Sequence, residues 1–138
     1  MKKRLGIVLG VVGLGIILRV VWWNSSVSFL RHVDVEDVGG IQVRDGRTGS
    51  RFVVEERDDI GYIVGSIREE TFHRTGISLF RMGTWYTLTF LDRDGRKISE
   101  FIVNSDDVIR KDPFFYHVDA EGMGITEYLS ALEENGNE

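Results

Sequence analysis

The chain has 138 residues, 42% of them hydrophobic and 28% charged, with eight Phe, four Tyr and three Trp: enough for one packed domain with a short appendage, and too apolar for wholesale disorder. It holds no cysteine, which excludes disulfide stapling, thiolate zinc sites, thiol catalysis and lipid attachment through a Cys. Lys2, Lys3, Arg4 and Arg19 are four of the 17 basic residues, so residues 24–138 carry 13 basic against 22 acidic groups, a balance of −9 that argues against nucleic acid as a partner.

The first element is hydrophobic. Leu5–Leu18 is apolar without a break, Arg19 interrupts, and Val20–Trp23 completes the run. As a helix at ~1.5 Å per residue it reaches about 28 Å, close to the ~30 Å of a bilayer's hydrocarbon. A core helix of a soluble domain keeps a polar face, and this run has none before Arg19. Residues 1–23 therefore read as a transmembrane signal-anchor, with Arg19, Trp22 and Trp23 at the far interface. Lys2, Lys3 and Arg4 in front and an acidic flank behind predict an N-terminus inside and a domain outside the cytoplasmic membrane. The rival reading is a cleaved signal ending near Ser26-Val27-Ser28, which would leave a secreted protein. Gly6, Gly10 and Gly13 share one helical face and offer a helix-dimer contact, which would make a homodimer.

After a juxtamembrane linker (24–33), an extracytoplasmic domain is expected over 34–134 and a frayed tail over 135–138. Ile41–Arg44 and Arg51–Glu55 read as strands joined through Asp45-Gly46-Arg47-Thr48-Gly49, a turn-forming sequence. Asp58 or Asp59 can cap a helix whose stripe is Ile60, Ile63, Val64 and Ile67. Thr71–Arg74 and Ile77–Arg81 suggest strands around Gly76. Trp85–Leu91 and Arg96–Val103 form a hairpin about Asp92–Gly95, with Tyr86, Leu88 and Phe90 on one face. Val108–Lys111 and Phe114–Val118 add extended material around Pro113, and Ile125, Tyr128, Leu129 and Leu132 mark a closing helix. Consecutive hairpins and two one-sided helices predict an α+β fold: a two-layer sandwich of mostly antiparallel sheet with both helices on one face.

Chemistry is harder to find. Asp92-x-Asp94-Gly95 with Glu100 lacks the third ligand and the spacing of a calcium loop. His32, His73 and His117 fall in separate segments, outside any zinc pattern. No nucleophile elbow surrounds a serine, and the acidic doublets suit helix starts and solvated faces. The glycines at 10, 13 and 15 lie inside the apolar run, where no strand precedes a phosphate loop. No cofactor or metal is expected. Aromatic and arginine residues collect late in the domain, and Arg81, Trp85 and Phe115 are the candidate interaction surface. The expectation is a binding or interaction module without catalytic activity, tethered at the outer face of a bacterial cytoplasmic membrane. Its partners would be the lipid bilayer and a membrane protein, an envelope component or a peptide. The alternatives are a hydrolase using His73 or His117 with acidic neighbours, and a homodimeric structural or sensory membrane subunit.

Overall fold

The computed structural model describes residues 1–81, 83, 85–118 and 122–136. A long helix, α1 (Lys2–Asn24), precedes strands β1 (Val38–Asp45) and β2 (Arg51–Val54), helix α2 (Arg57–Arg68), and strands β3 (Phe72–Ile77), β4 (Tyr86–Asp92), β5 (Lys97–Ser105), β6 (Val108–Lys111) and β7 (Phe114–Val118). Helix α3 (Ile125–Gly136) closes the chain. The seven strands form one sheet in the order β2-β1-β4-β5-β6-β7-β3, and each neighbouring pair is antiparallel. Together with the helices this is an α+β architecture.

Local chemistry explains most boundaries. The β1–β2 turn is organised by Asp45, whose buried carboxylate accepts the backbone N–H of Arg47 at 2.6 Å and its guanidinium Nη2 at 2.8 Å. The Arg47 hydrogen bond, aided by the turn amides, holds the Asp45 carboxyl below its ordinary range against the opposing effect of burial. At the β4–β5 turn Asp92 Oδ1 accepts from the amides of Asp94 and Arg96, and Gly95 takes φ +78°, a conformation L side chains resist.

Two expectations are corrected. Helix α2 buries Ile60, Ile63, Val64 and Ile67 as its spacing demands, but Glu56 is the N-cap and makes no side-chain cap bond. Asp58 and Asp59 lie within the first turn, where negative charge still complements the helix dipole. The two strands expected around Gly76 are a single strand, β3, with a register shift between Arg74 and Gly76; Ser78–Arg81 is a turn. A glycine at a bulge interrupts the pattern without ending the ladder. Helix α3 runs through Gly136, and Asn137 and Glu138 lie outside the described residues.

The core gathers alternate strand residues with the helix stripes. Ile41, Val43, Tyr86, Leu88, Phe90, Phe101, Val103, Ile109 and Val118 are buried together with the α2 stripe and with Ile125 and Leu129 of α3. Tyr128 and Leu132 pack on its margin. The linker segment contributes too. Phe29 and Leu30 are buried, and the Phe29 ring meets Phe72, Phe101 and Tyr116. Gly39 is required where β1 crosses β4, because a Cβ there would stand 2.4 Å from the Asp92 carbonyl oxygen.

Candidate functional site

A strand alternates its side chains, so the residues between those in the core point to the opposite side of the sheet. In register across that open face stand Arg51 (β2), Arg44 (β1), Thr87 (β4), Ile102 (β5), Arg110 (β6) and Phe115 (β7), each directly opposite the next. At the β2 side of this row a trough of about 400 Å³ is lined by residues that include Gln42, Arg44, Arg51, Thr87, Thr89 and Glu100.

The arginines of this row differ. Arg110 is engaged: its Nε lies 2.8 Å from Asp112 Oδ1 and its Nη1 donates to the Arg81 carbonyl at 2.7 Å. The side chains of Arg44 and Arg51 have neither a hydrogen-bond nor an ion-pair partner among the described residues, although they face each other across the ladder. Like charges directly opposite are unfavourable. Hydroxyls of Thr87 and Thr89 and the amide of Gln42 line the same trough, while Glu100 is occupied with the Thr89 hydroxyl (2.8 Å) and lies 3.8 Å from Lys97. The arrangement can chemically accommodate an anion beside hydrogen-bonding groups.

The expected interaction residues are reached by the segment between β3 and β4. In this strand order that connection must pass β7, β6 and β5 to return to β4. The Arg81 carbonyl takes the Arg110 bond, the Gly83 carbonyl accepts from Asn104 Nδ2 at 3.4 Å, and Trp85 stands exposed with the Arg47 guanidinium 4.7 Å over its ring. Phe115 is half-buried beside Arg110 in the transverse row.

His73 and His117, separate in sequence, are cross-strand partners on the open face, and His32 lies apart and exposed. His117 Nδ1 is 3.7 Å from Asp107 Oδ2, an ion-pair distance beyond hydrogen-bond reach. The Ser105 hydroxyl holds the Asp107 carboxyl below its usual range, and His117 acts in the same direction. Among the described residues no three His, Cys, Asp or Glu side chains gather as metal ligands do. The Asp92 and Asp94 carboxylates are bound to Arg96 at 3.0 and 2.9 Å, so they brace their own turn.

At the other end of the sheet α1 meets the domain. Trp22 and Trp23 lie edge-on to Phe114, with centroids at 5.7 and 5.8 Å. Arg74 of β3 donates to the Trp22 carbonyl at 2.8 Å and to Ser25 Oγ at 3.2 Å, and its guanidinium stacks 4.2 Å over the Trp22 ring. A cation suits the carbonyl-rich end of a helix. Upstream, none of α1 is buried, and nothing lies within 4 Å of where a Cβ would stand at Gly6, Gly10 or Gly13. The Arg19 side chain makes no hydrogen bond or ion pair with the described residues. Sequence reasoning missed Arg44, Arg51 and Arg74. Their signal was present only in register, since each is an ordinary strand arginine until its cross-strand neighbour is known.

These features define an α+β protein on a seven-stranded antiparallel sheet, led by one helix long and apolar enough to cross a membrane. Compared with protein-family models, with curated proteins and with solved structures, the chain matches none.

Proposed function

We propose that the protein is a membrane-anchored binding module whose domain stands outside the cytoplasmic membrane and receives an anionic group of an envelope ligand or peptide on its open sheet face. The observation that carries the reading is the Arg44–Arg51 pair: two cations opposite each other in a trough, without an acidic partner among the described residues. In a domain this rich in carboxylates, counter-charges are plentiful, so an unmatched pair is a ready site for an anion from outside.

The tether is supported by an apolar helix with no buried residue, which meets its own domain through its Trp22–Trp23 end, and the orientation by Lys2, Lys3 and Arg4 before it. Retention rather than cleavage is favoured by the Arg74–Trp22 and Val27–Phe72 contacts, which tie residues on the helix side of the candidate cleavage site to the folded domain. A two-layer arrangement, with α2 and α3 on one face, accords with stripes that join the core while Arg44, Thr87 and Thr89 stay outside it. A homodimer through Gly6, Gly10 and Gly13 is supported by their open surroundings; Gly10→Ile should abolish any dimer seen in detergent. The hydrolase reading draws less support, because His117 and Asp107 are too far apart to share a proton and the pair sits on an open surface.

The test is calorimetric titration of the full chain in nanodiscs with inorganic phosphate, glucuronate and neutral glucose. The anions should bind and glucose should not. Arg44→Ala or Arg51→Ala should each weaken anion binding by about tenfold or more, the loss of one charged hydrogen-bonding partner. Equal, weak responses to anions and glucose, unchanged in both variants, would remove the reading.

A further inference from the structure

The turn between β3 and the open-face crossing is unusual in what it presents. Ile77, Leu79 and Phe80 are exposed, Phe80 completely so at 102%, and Phe80 holds φ +65°, a region bulky L side chains rarely occupy. The turn is nonetheless firmly built. Arg81 N–H donates to the Ser78 carbonyl at 3.1 Å, Ser78 N–H to the Pro113 carbonyl at 2.9 Å, and the buried Ser78 hydroxyl to Asp112 Oδ1 at 2.6 Å. A braced turn that holds an aromatic ring in water at a conformational cost asks for an apolar partner outside the chain.

The position of α1 says which partner. Val27 bridges Phe72, whereas Arg74 reaches back to the Trp22 carbonyl, so the chain from Trp22 to Val27 runs antiparallel to β3. Followed onward, β3 therefore heads back toward the helix end, and at ~3.3 Å per residue Ile77 lies about 10 Å beyond Arg74. Its cross-strand partner Phe114 touches both Trp22 and Trp23. The turn thus begins at the level where those tryptophans mark the membrane interface. Arg81 and Lys111, both exposed, flank it with positive charge suited to anionic headgroups.

We propose that the Leu79–Phe80 turn is a second membrane contact, dipping into the headgroup–acyl boundary of the bilayer that α1 crosses. This rests on the anchor reading above and adds that the domain lies against the lipid surface instead of standing clear of it. Because the chain has no cysteine, single sites can be labelled without background. Leu9→Cys, Phe80→Cys and Glu127→Cys are each coupled to an environment-sensitive fluorophore. The full chain is then reconstituted in phosphatidylcholine–phosphatidylglycerol vesicles containing doxyl-labelled lipid. Glu127 is exposed at the start of α3, beside the β5–β6 turn at the opposite end of β6 from Lys111, and serves as the distant reference. Lipid quenching should be strong at Leu9 and, at Phe80, at least about twofold that at Glu127. Quenching at Leu9 with Phe80 no different from Glu127 overturns the second contact and leaves the anchor intact. No quenching at Leu9 overturns the anchor, and the second contact with it.

Discussion

The two faces of the sheet are cut from the same strands yet obey different rules. On one, Tyr86, Leu88, Phe90 and Phe101 are buried in the hydrophobic core; on the other, Arg44, Thr87 and Glu100 reach toward solvent one residue away. Burial leaves the first face little freedom, since any volume change there must be absorbed by a close-packed interior. The second is free to carry charges that do nothing for stability, and Arg44 opposite Arg51 is slightly unfavourable for it. The contrast teaches where to look for function in a chain without sequence motifs: residues that the fold tolerates but does not need.

That contrast can be broken by substitution. Phe101→Ala should cost about 3–5 kcal/mol of stability by transfer and cavity terms, whereas Thr87→Ala, on the open side, should stay within about 0.5 kcal/mol; denaturant titration of both compares the faces directly. Gly39→Ala, which forces a Cβ onto the Asp92 backbone, should cost about 1–3 kcal/mol and shift the β1–β4 register in amide exchange. Tyr128 on α3 donates a hydrogen bond to Asp59 on α2, and that carboxylate raises the phenol to about 12 from its ordinary 10.0. Because the folded value is the higher one, this contribution is complete below pH 10.0 and disappears as pH rises toward about 12. Tyr128→Phe should lose about 1 kcal/mol at neutral pH and lack that share of the alkaline loss, read by thermal melts across the range. The smallest effect sharpens the comparison most. Arg51→Ala should leave stability unchanged or raise it by a few tenths of a kcal/mol while weakening the proposed anion binding by about tenfold or more, so that one residue would separate folding from recognition.

The legible parts of the sequence were those where a single period governs. The α2 stripe, the Tyr86–Leu88–Phe90 face and the Asp92–Gly95 turn follow from spacing alone, because each reflects local geometry. The β3 region was misread as two strands because Gly76 punctuates a sequence without punctuating its hydrogen-bond ladder. Asp45 looked like one more turn residue, although it is fully buried and organises its hairpin through charge. Register within the β1–β2 hairpin sets Arg44 against Arg51, while the tertiary fold sets His73 against His117 and Arg74 against Trp22, long-range neighbours with no signature in either partner's own segment. Arg81, Trp85 and Phe115 were chosen for residue type, and their position on or beside the crossing segment became visible only through topology.

The junction at Arg74 has a mechanical consequence. A slack junction would let helix and domain swing independently, but here the carbonyl of Trp22, the ring of Trp22 and the backbone of Val27 are all fastened to one edge strand. The 23 residues of α1 form a rod of about 35 Å, so a small change in its tilt becomes torque on β3 instead of being lost in a hinge.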